Sequence, residues 1–217
     1  MTDDTHRPIL DPVVNAVIGK LAAAQQYPTD DQRHGRERDP HAYSEYGFSI
    51  SPDQGDLLYL LCRGLRATRV VEFATSVGMS TLYFAAAMRD NGGGTVIGSE
   101  IVPAKVATAR RNLAEAGLAD YAEIREGDAR TTLRDLGGPV DLALIDGWLG
   151  VEPSLARELI EIIAPQLRVG GYVVNDNAEP DFLAYVRDPA NGFLSVTLPL
   201  HGGTELCVKV GERAVGE

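Results

Sequence analysis

At 217 residues the chain fits one domain better than two, since domains run to about 100–200 residues. Hydrophobic residues at 44% and charged residues at 24% are ordinary globular values and exclude a disordered or fibrous chain. Lys+Arg 20 against Asp+Glu 31 gives a net charge of −11, which weighs against nucleic-acid or anionic-membrane binding, because both need a basic face.

The two cysteines, Cys62 and Cys207, stand far apart with no CxxC or Cys/His spacing, so neither a structural zinc site nor a disulfide framework is expected. The first residues show no basic stretch leading into an apolar one, and no run approaches the ~18 apolar residues of a membrane span. The expectation is a soluble, cytoplasmic protein.

In chain order, residues 11–24 carry apolar side chains at helical spacing, with Asp11 as N-cap. Residues 27–46 are polar, charged and unpatterned, a length that suits either a functional lid or a disordered connection. The expected division is therefore 1–47, a helix with a lid-like segment, and 48–217, the main domain. Ser51 as N-cap and Pro52 at the first helical position open a helix through about residue 66.

Short apolar strands then alternate with amphipathic helices. Strands are expected at 69–74, 95–100, 121–126, 140–146 and 171–175, and helices at 79–89, 103–116, 129–136, 153–167 and 180–187. Two final strands, 193–198 and 205–210, joined by a Gly202-Gly203 turn, form a hairpin. The pattern predicts an α/β, Rossmann-like, doubly wound sheet of seven strands. It is mostly parallel, covered by helices on both faces, and ends in an antiparallel hairpin strand. Glu72, Glu100 and Asp128 recur every 28 residues, and Asp146 and Asp176 lie 30 apart. Most of these acids fall at the C-terminal strand ends, the edge where open α/β sheets bind ligands.

The first strand-turn-helix reads Val70-Val71-Glu72-Phe73-Ala74-Thr75-Ser76-Val77-Gly78-Met79-Ser80-Thr81. A dinucleotide turn would show GxGxxG, but Ala74 and Ser76 take the first two glycine positions. No P-loop lysine follows either. Ser80 and the first amides of the next helix suit a smaller anion such as a carboxylate. Glu72 among apolar neighbours is either a satisfied core carboxylate or the organiser of the loop. Glu100, at the end of the second strand, can accept both hydroxyls of a ribose.

This segment resembles motif I of class I S-adenosylmethionine-dependent methyltransferases. The likeness continues through Gly98-Ser99-Glu100, Glu126-Gly127-Asp128-Ala129, Asp141 to Asp146, and Leu167 to Val174. Ser49-Ile50-Ser51, Gln54-Gly55, Asp146-Gly147-Trp148, Asp176-Asn177 and Pro180 to Arg187 make it most similar to the cation-dependent, catechol O-methyltransferase-like group. The resemblance spans roughly residues 45–210 and implies transfer of a methyl group from S-adenosylmethionine to a hydroxyl of a small, aromatic acceptor.

It implies that Glu72, Ala74, Thr75, Ser76 and Ser80 surround the methionine part of the cofactor, with Ser80 on its carboxylate. Glu100 takes the ribose hydroxyls, Ile101 lies beside the adenine, and Asp128 and Ala129 flank its edge. Ile50 covers the other side, and Trp148 forms the far wall. Asp146, Asp176 and Asn177 match the group's divalent-cation ligands, with Mg²⁺ the expected ion and Asp146 the catalytic position. The bland alternative for Asp176-Asn177 is a turn signal at a strand exit.

One departure stands out. Where the group carries a lysine as general base, this chain has Leu149. Substitutes are a metal-bound hydroxide, His201, His41 or Tyr43. The runner-up readings are a metal-independent O- or N-methyltransferase and a catalytically impaired cofactor-binding protein. A nicotinamide oxidoreductase is disfavoured by the missing GxGxxG and the lack of a Tyr-x-x-x-Lys pair. A homodimer through the N-terminal helix is compatible with the family; no nucleic-acid or membrane partner is expected.

Overall fold

In the computed structural model, which describes residues 7–29, 39–147, 154–200 and 203–212, helices begin where short polar side chains can cap them. Asp11 accepts hydrogen bonds from the amides of Val13 and Val14 and opens α1 (Pro12–Ala24). Ser51 accepts from the Gln54 amide and opens α2 (Pro52–Leu65), with Pro52 at a position where no amide donor is missed. The remaining elements are β1 (Arg69–Phe73), α3 (Met79–Asp90), β2 (Thr95–Glu100), α4 (Pro103–Glu115), β3 (Ala122–Glu126), α5 (Ala129–Thr132), β4 (Val140–Ile145), α6 (Leu155–Ile163), β5 (Leu167–Asn175), α7 (Pro180–Val186), β6 (Phe193–Leu198) and β7 (Thr204–Lys209).

The strands form one sheet in the order β3-β2-β1-β4-β5-β7-β6. The first five are parallel, and β7 pairs antiparallel with both β5 and β6. The doubly wound expectation therefore holds, including the C-terminal hairpin. After β3 the chain returns to the other side of β1, so strand order reverses between β1 and β4. The crevice outside their carboxyl ends is the binding edge of such a sheet.

Alternation along the strands divides the core. Val70, Val96, Leu142, Leu144 and Val174 face α1 to α4, whereas Val71, Ile97, Ala143, Ile145 and Val173 face α5 to α7. Val14, Val17 and Ile18 of α1 belong to the first core, and Arg89 of α3 pairs with Asp11 at 2.6 Å. Among the described residues, no helix is long and apolar enough to cross a membrane.

Several expected boundaries move. The helix expected over 153–167 ends at Ile163, because Pro165 cannot donate to a helical ladder and the chain tightens into a 3₁₀ turn over Ala164–Gln166. The strand expected at 171 begins at Leu167, with a bulge that pairs Val140 with Leu167 and Leu142 with Tyr172. Glycine makes that bulge possible: Gly170 has φ +80°, and a Cβ on Gly171 would lie 3.0 Å from the Asp141 carbonyl oxygen. The helix expected over 129–136 stops at Thr132, since the Arg125 guanidinium takes the carbonyls of Thr132 and Asp135, each at 2.7 Å.

The expectation of an unpatterned 27–46 also needs correction where the chain is described. Asp39 caps a 3₁₀ turn over Pro40–Tyr43, and Tyr43 is buried. Phe48 stands 6.2 Å from Tyr27, 6.0 Å from Tyr43 and 6.3 Å from Tyr46, ring centre to ring centre. Aromatic spacing, rather than helical or strand periodicity, gives this stretch its structure. Residues 30–38 lie outside the described residues.

At the opposite edge from the binding crevice, Asp141 ties three segments together. One oxygen accepts from the Thr68 and Arg69 amides at 2.7 and 3.0 Å, and the other from Arg168 Nε at 2.6 Å. The Arg168 guanidinium and the two amides hold its carboxyl below the usual carboxylate range against the opposing effect of burial. A depressed folded value means that its contribution is complete above the ordinary value of 3.8 and disappears as pH falls through the folded one. Asp141→Asn is expected to cost about 1.5–3 kcal/mol at neutral pH, the range for hydrogen bonds to a charged group. In urea unfolding the variant's deficit should shrink at acid pH; a deficit that persists unchanged would refute this assignment.

Candidate functional site

The strand register brings the expected residues to one level. Phe73 is level with Ser99 and Ile145, and Ile145 with Asn175. The next residue on each strand is therefore Ala74, Glu100, Asp146 and Asp176, a row along the crevice at the β1/β4 reversal. Four of the expected positions are neighbours because of register alone.

Glu72 builds the floor of this row. It is fully buried on β1, and its carboxylate accepts from Thr75 Oγ1 at 2.9 Å, Ser80 Oγ at 2.7 Å and the Thr81 hydroxyl. Burial pushes the Glu72 carboxyl up; the three hydroxyls oppose that shift, and nearby Glu100 adds to it. Of the two readings left open for Glu72, both apply: it is a satisfied core carboxylate and it fixes the loop. Gly98 makes the room, since a Cβ there would lie 2.4 Å from Thr75 Oγ1 and 3.1 Å from Glu72 Oε1.

Above Glu72 the loop folds tightly back. The Ala74 and Thr75 amides both donate to the Ser99 carbonyl, at 3.0 and 3.1 Å, and Asn112 of α4 holds the Val77 carbonyl at 2.8 Å. Ala74 and Ser76 adopt left-handed backbone, with φ +64° and +51°, as does Gly78 at φ +88°. Glycine would fill such positions without strain, so Ala74 sits where the resembling motif has its first glycine at a steric cost.

Glu100 closes the far side. Its two oxygens accept from the Ser76 and Val102 amides, both at 2.8 Å, which fixes the carboxylate while leaving further lone pairs open. The Ser76 hydroxyl beside it is buried and has no partner among the described residues. A buried hydroxyl without a partner is costly unless a ligand completes it. Ser80, expected on a ligand carboxylate, instead gives its hydroxyl hydrogen to Glu72. The first-turn amides of α3, which have no acceptor within the helix, are the groups left for an anion there.

The other expected contacts are spread around this centre. Ile50 is buried just before α2, and Ile101 is exposed beyond Glu100. Asp128 caps α5, accepts from the Arg130 amide and pairs with the Arg130 side chain, while Ala129 is buried behind it. Trp148 and Leu149 lie outside the described residues, as does His201. Of the alternative bases, His41 is exposed and Tyr43 is packed into the aromatic cluster.

A second group of side chains gathers at the tips of β4 and β5. Asp146 and Asp176 are close enough to share a hydrogen bond, and burial, Asp176, Glu179 and Glu72 together push the Asp146 carboxyl well up. Adjacent strand residues point to opposite faces, so Asp176 and Asn177 can serve one site only if the strand has ended. It has: β5 stops at Asn175, the Asp176 amide donates to the Ile145 carbonyl at 3.2 Å, and Ala178 turns left-handed at φ +46°. Asn177 Nδ2 then reaches the Gly147 carbonyl at 3.4 Å, next to Asp146.

Sequence reading missed the supports of this group. Gln54 of α2 is fully buried and donates from Nε2 to Asp176, and at 3.2 Å to Thr204 Oγ1. Glu179, just before Pro180, is buried too. The oxygens Gln54 Oε1, Asn175 Oδ1 and Glu179 Oε2 have no hydrogen-bond partner among the described residues. Buried acceptor oxygens beside carboxylates suit a cation. Among the described residues, however, no three His, Cys, Asp or Glu side chains stand together as a metal-ligand group. The matching set is two carboxylates and an amide.

Comparison with known proteins agrees with this geometry. A methyltransferase-domain family matches residues 71–178, from β1 to the turn after Asn177. The chain is 33% identical over 147 residues to a catechol O-methyltransferase from Mycobacterium tuberculosis (strain ATCC 25618 / H37Rv), covering 64% of this chain and 66% of that protein. It is 37% identical over 141 residues to one from Niastella koreensis, covering 60% and 63%. This chain is a class I S-adenosylmethionine-dependent methyltransferase by family.

The match spans slightly less than two thirds of these relatives' length. Cofactor-bound Rv0187 from MTB superposes with a TM-score of 0.67 at 26% identity, over 92% of this chain and 90% of that one. An O-methyltransferase from Bacillus cereus, in complex with SAH, superposes at 0.66 over 92% and 91%; at 21% identity it supports the fold alone.

Within this methyltransferase, Ala74→Gly relieves a left-handed alanine worth about 1–2 kcal/mol. It gives back about 0.4–1 kcal/mol of unfolded-state entropy. A net gain on the order of 0.5–1 kcal/mol in urea unfolding is expected from the difference. A loss of stability would show that the alanine methyl contributes packing that the backbone argument omits.

Proposed function

We propose that this methyltransferase transfers a methyl group from S-adenosylmethionine to a hydroxyl of a small, aromatic acceptor carrying neighbouring oxygens, with a divalent cation assisting. The observation that carries the proposal is the convergence of two half-finished sites on one sheet edge. Glu100 stands beside the unpartnered Ser76 hydroxyl, and Asp146 and Asp176 meet beside three unpartnered acceptor oxygens.

The first half fits the cofactor. Glu100, held by the Ser76 and Val102 amides, would accept the ribose hydroxyls, and the Ser76 hydroxyl would gain its missing partner. Ile50 and Ile101 offer apolar walls for the base. Ala74 and Thr75 would line the methionine part, and the α3 amides would take its carboxylate.

The second half fits a hard cation. Asp146, Asp176 and the Asn177 amide oxygen would hold it, and magnesium takes oxygen ligands while keeping several waters. When bound, the sulfonium supplies an electrophilic methyl, and the cation a positive charge that favours an ionised acceptor hydroxyl. The residues of the chain have the task of placing the acceptor oxygen in line with that methyl; such orientation is worth about 7–11 kcal/mol in well-built intramolecular cases. Gln54 serves this by holding Asp176 from α2. Leu149, where the resembling group has a lysine, leaves ionisation of the acceptor to the cation's charge.

Calorimetry with S-adenosylhomocysteine should show Glu100→Ala binding weakened by tenfold or more, the equivalent of about 1.5–3 kcal/mol of charged hydrogen bonding. Unchanged affinity would remove Glu100 from the cofactor site. With catechol as acceptor, methyl transfer should require Mg²⁺. The double variant Asp146→Asn/Asp176→Asn should lose that requirement together with the activity. Full activity of the wild-type protein in chelator would favour the metal-independent reading.

A further inference from the structure

On the cation reading above, we propose that Glu179 is a positioning residue of the cation site, a third carboxylate that accepts a hydrogen bond from a water carried by the ion and strengthens divalent-cation binding. Glu179 is the residue before α7, placed there by the left-handed turn at Ala178. It is only 8% exposed, yet its Oε2 has no partner among the described residues, and no described Lys, Arg or His forms an ion pair with it.

Its own amide and the Asn175 side chain donate to its carboxylate, but the charges around it are all acidic. The charged groups it feels are Asp176 and Asp181, and Asp146 feels Glu179 in turn. Gln54 and Asn175, both fully buried, present the unpartnered oxygens Oε1 and Oδ1. Asp181 is otherwise engaged, accepting from the Ser154 amide and hydroxyl at 2.6 and 2.7 Å. A buried carboxylate among like charges, with an oxygen unpaired, is a costly arrangement for a group that only packs. A nearby cation and its waters supply the missing donor and the missing charge.

On the cation reading Asp146, Asp176 and Asn177 are the direct ligands and the ion keeps several waters, so Glu179 is assigned to one of those waters. Partners of this rank typically change metal affinity by about 10–100-fold when removed.

The test is Mn²⁺ binding to the full chain, read from the free-ion EPR signal with S-adenosylhomocysteine present. Wild-type protein should bind Mn²⁺, Glu179→Gln should bind it about 10–100-fold more weakly, and Glu179→Asp, which keeps the charge on a shorter stem, should fall between. Affinity for S-adenosylhomocysteine without metal should be equal in all three. Equal Mn²⁺ affinity in wild type and Glu179→Gln would overturn the role of Glu179. If in the same series Asp146→Asn/Asp176→Asn abolished binding, the cation reading would stand without it. Wild-type protein that binds no Mn²⁺ would overturn both.

Discussion

One carboxylate buried under the first turn governs the rest of the site. Glu72 buries a carboxyl with no ion-pair partner among the described residues, and three hydroxyls, from Thr75, Ser80 and Thr81, make that tolerable. Each hydroxyl comes from a different point of the loop and the first turn of α3. Satisfying Glu72 therefore also dictates the path from Ala74 to Thr81. The loop in turn sets the Ser76 amide at Glu100, the group to which the proposed cofactor recognition is assigned. A chain of polar obligations, each met by the next, leads from the core to the crevice.

The same logic explains why the acids at the sheet edge differ in state. Glu100 is fixed by two amides, and Asp128 leans on Arg130. Asp146 has another carboxylate as its neighbour and is driven toward protonation. Like charges that crowd in a low-dielectric crevice cost stability unless an ion or a proton intervenes. The fold accepts this at the β4/β5 tips, and perturbed carboxylates in a cleft are candidates for functional positions.

Much of the architecture was legible from the chain, for a physical reason. Alternating apolar strands and amphipathic helices leave few topologies open, so a doubly wound, mostly parallel sheet followed from the element order, whereas the place of the β1/β4 reversal came from the strand pairing. The acids of the site were legible because period and strand ends coincide. What escaped were features set by contacts distant in sequence: Gln54 reaches Asp176 across 122 residues, and Arg125 shortens α5 by taking its carbonyls. Nothing local marks either. The bond from the Ser80 hydroxyl to Glu72 escaped for the related reason that this partner is set by the loop's path and not by the motif.

The segment after residue 38 shows where periodicity fails as a guide. Tyr43, Tyr46 and Phe48 follow neither a period of two nor one of 3.6, yet they pack together, and Lys105 lays its ammonium 5.0 Å from the centre of the Phe48 ring. Lys105 is itself buried, and it lies on α4 shortly after Glu100. A buried ammonium that gains from an aromatic face and a nearby carboxylate is a reason for this strand-less stretch to hold its shape. Gly47 brings the stretch down onto the motif I turn, since a Cβ there would meet the Val77 side chain at 3.2 Å. The shape of this stretch is thus set by one small residue and one cation on the body of the domain, which is why its own sequence, taken alone, looks unordered.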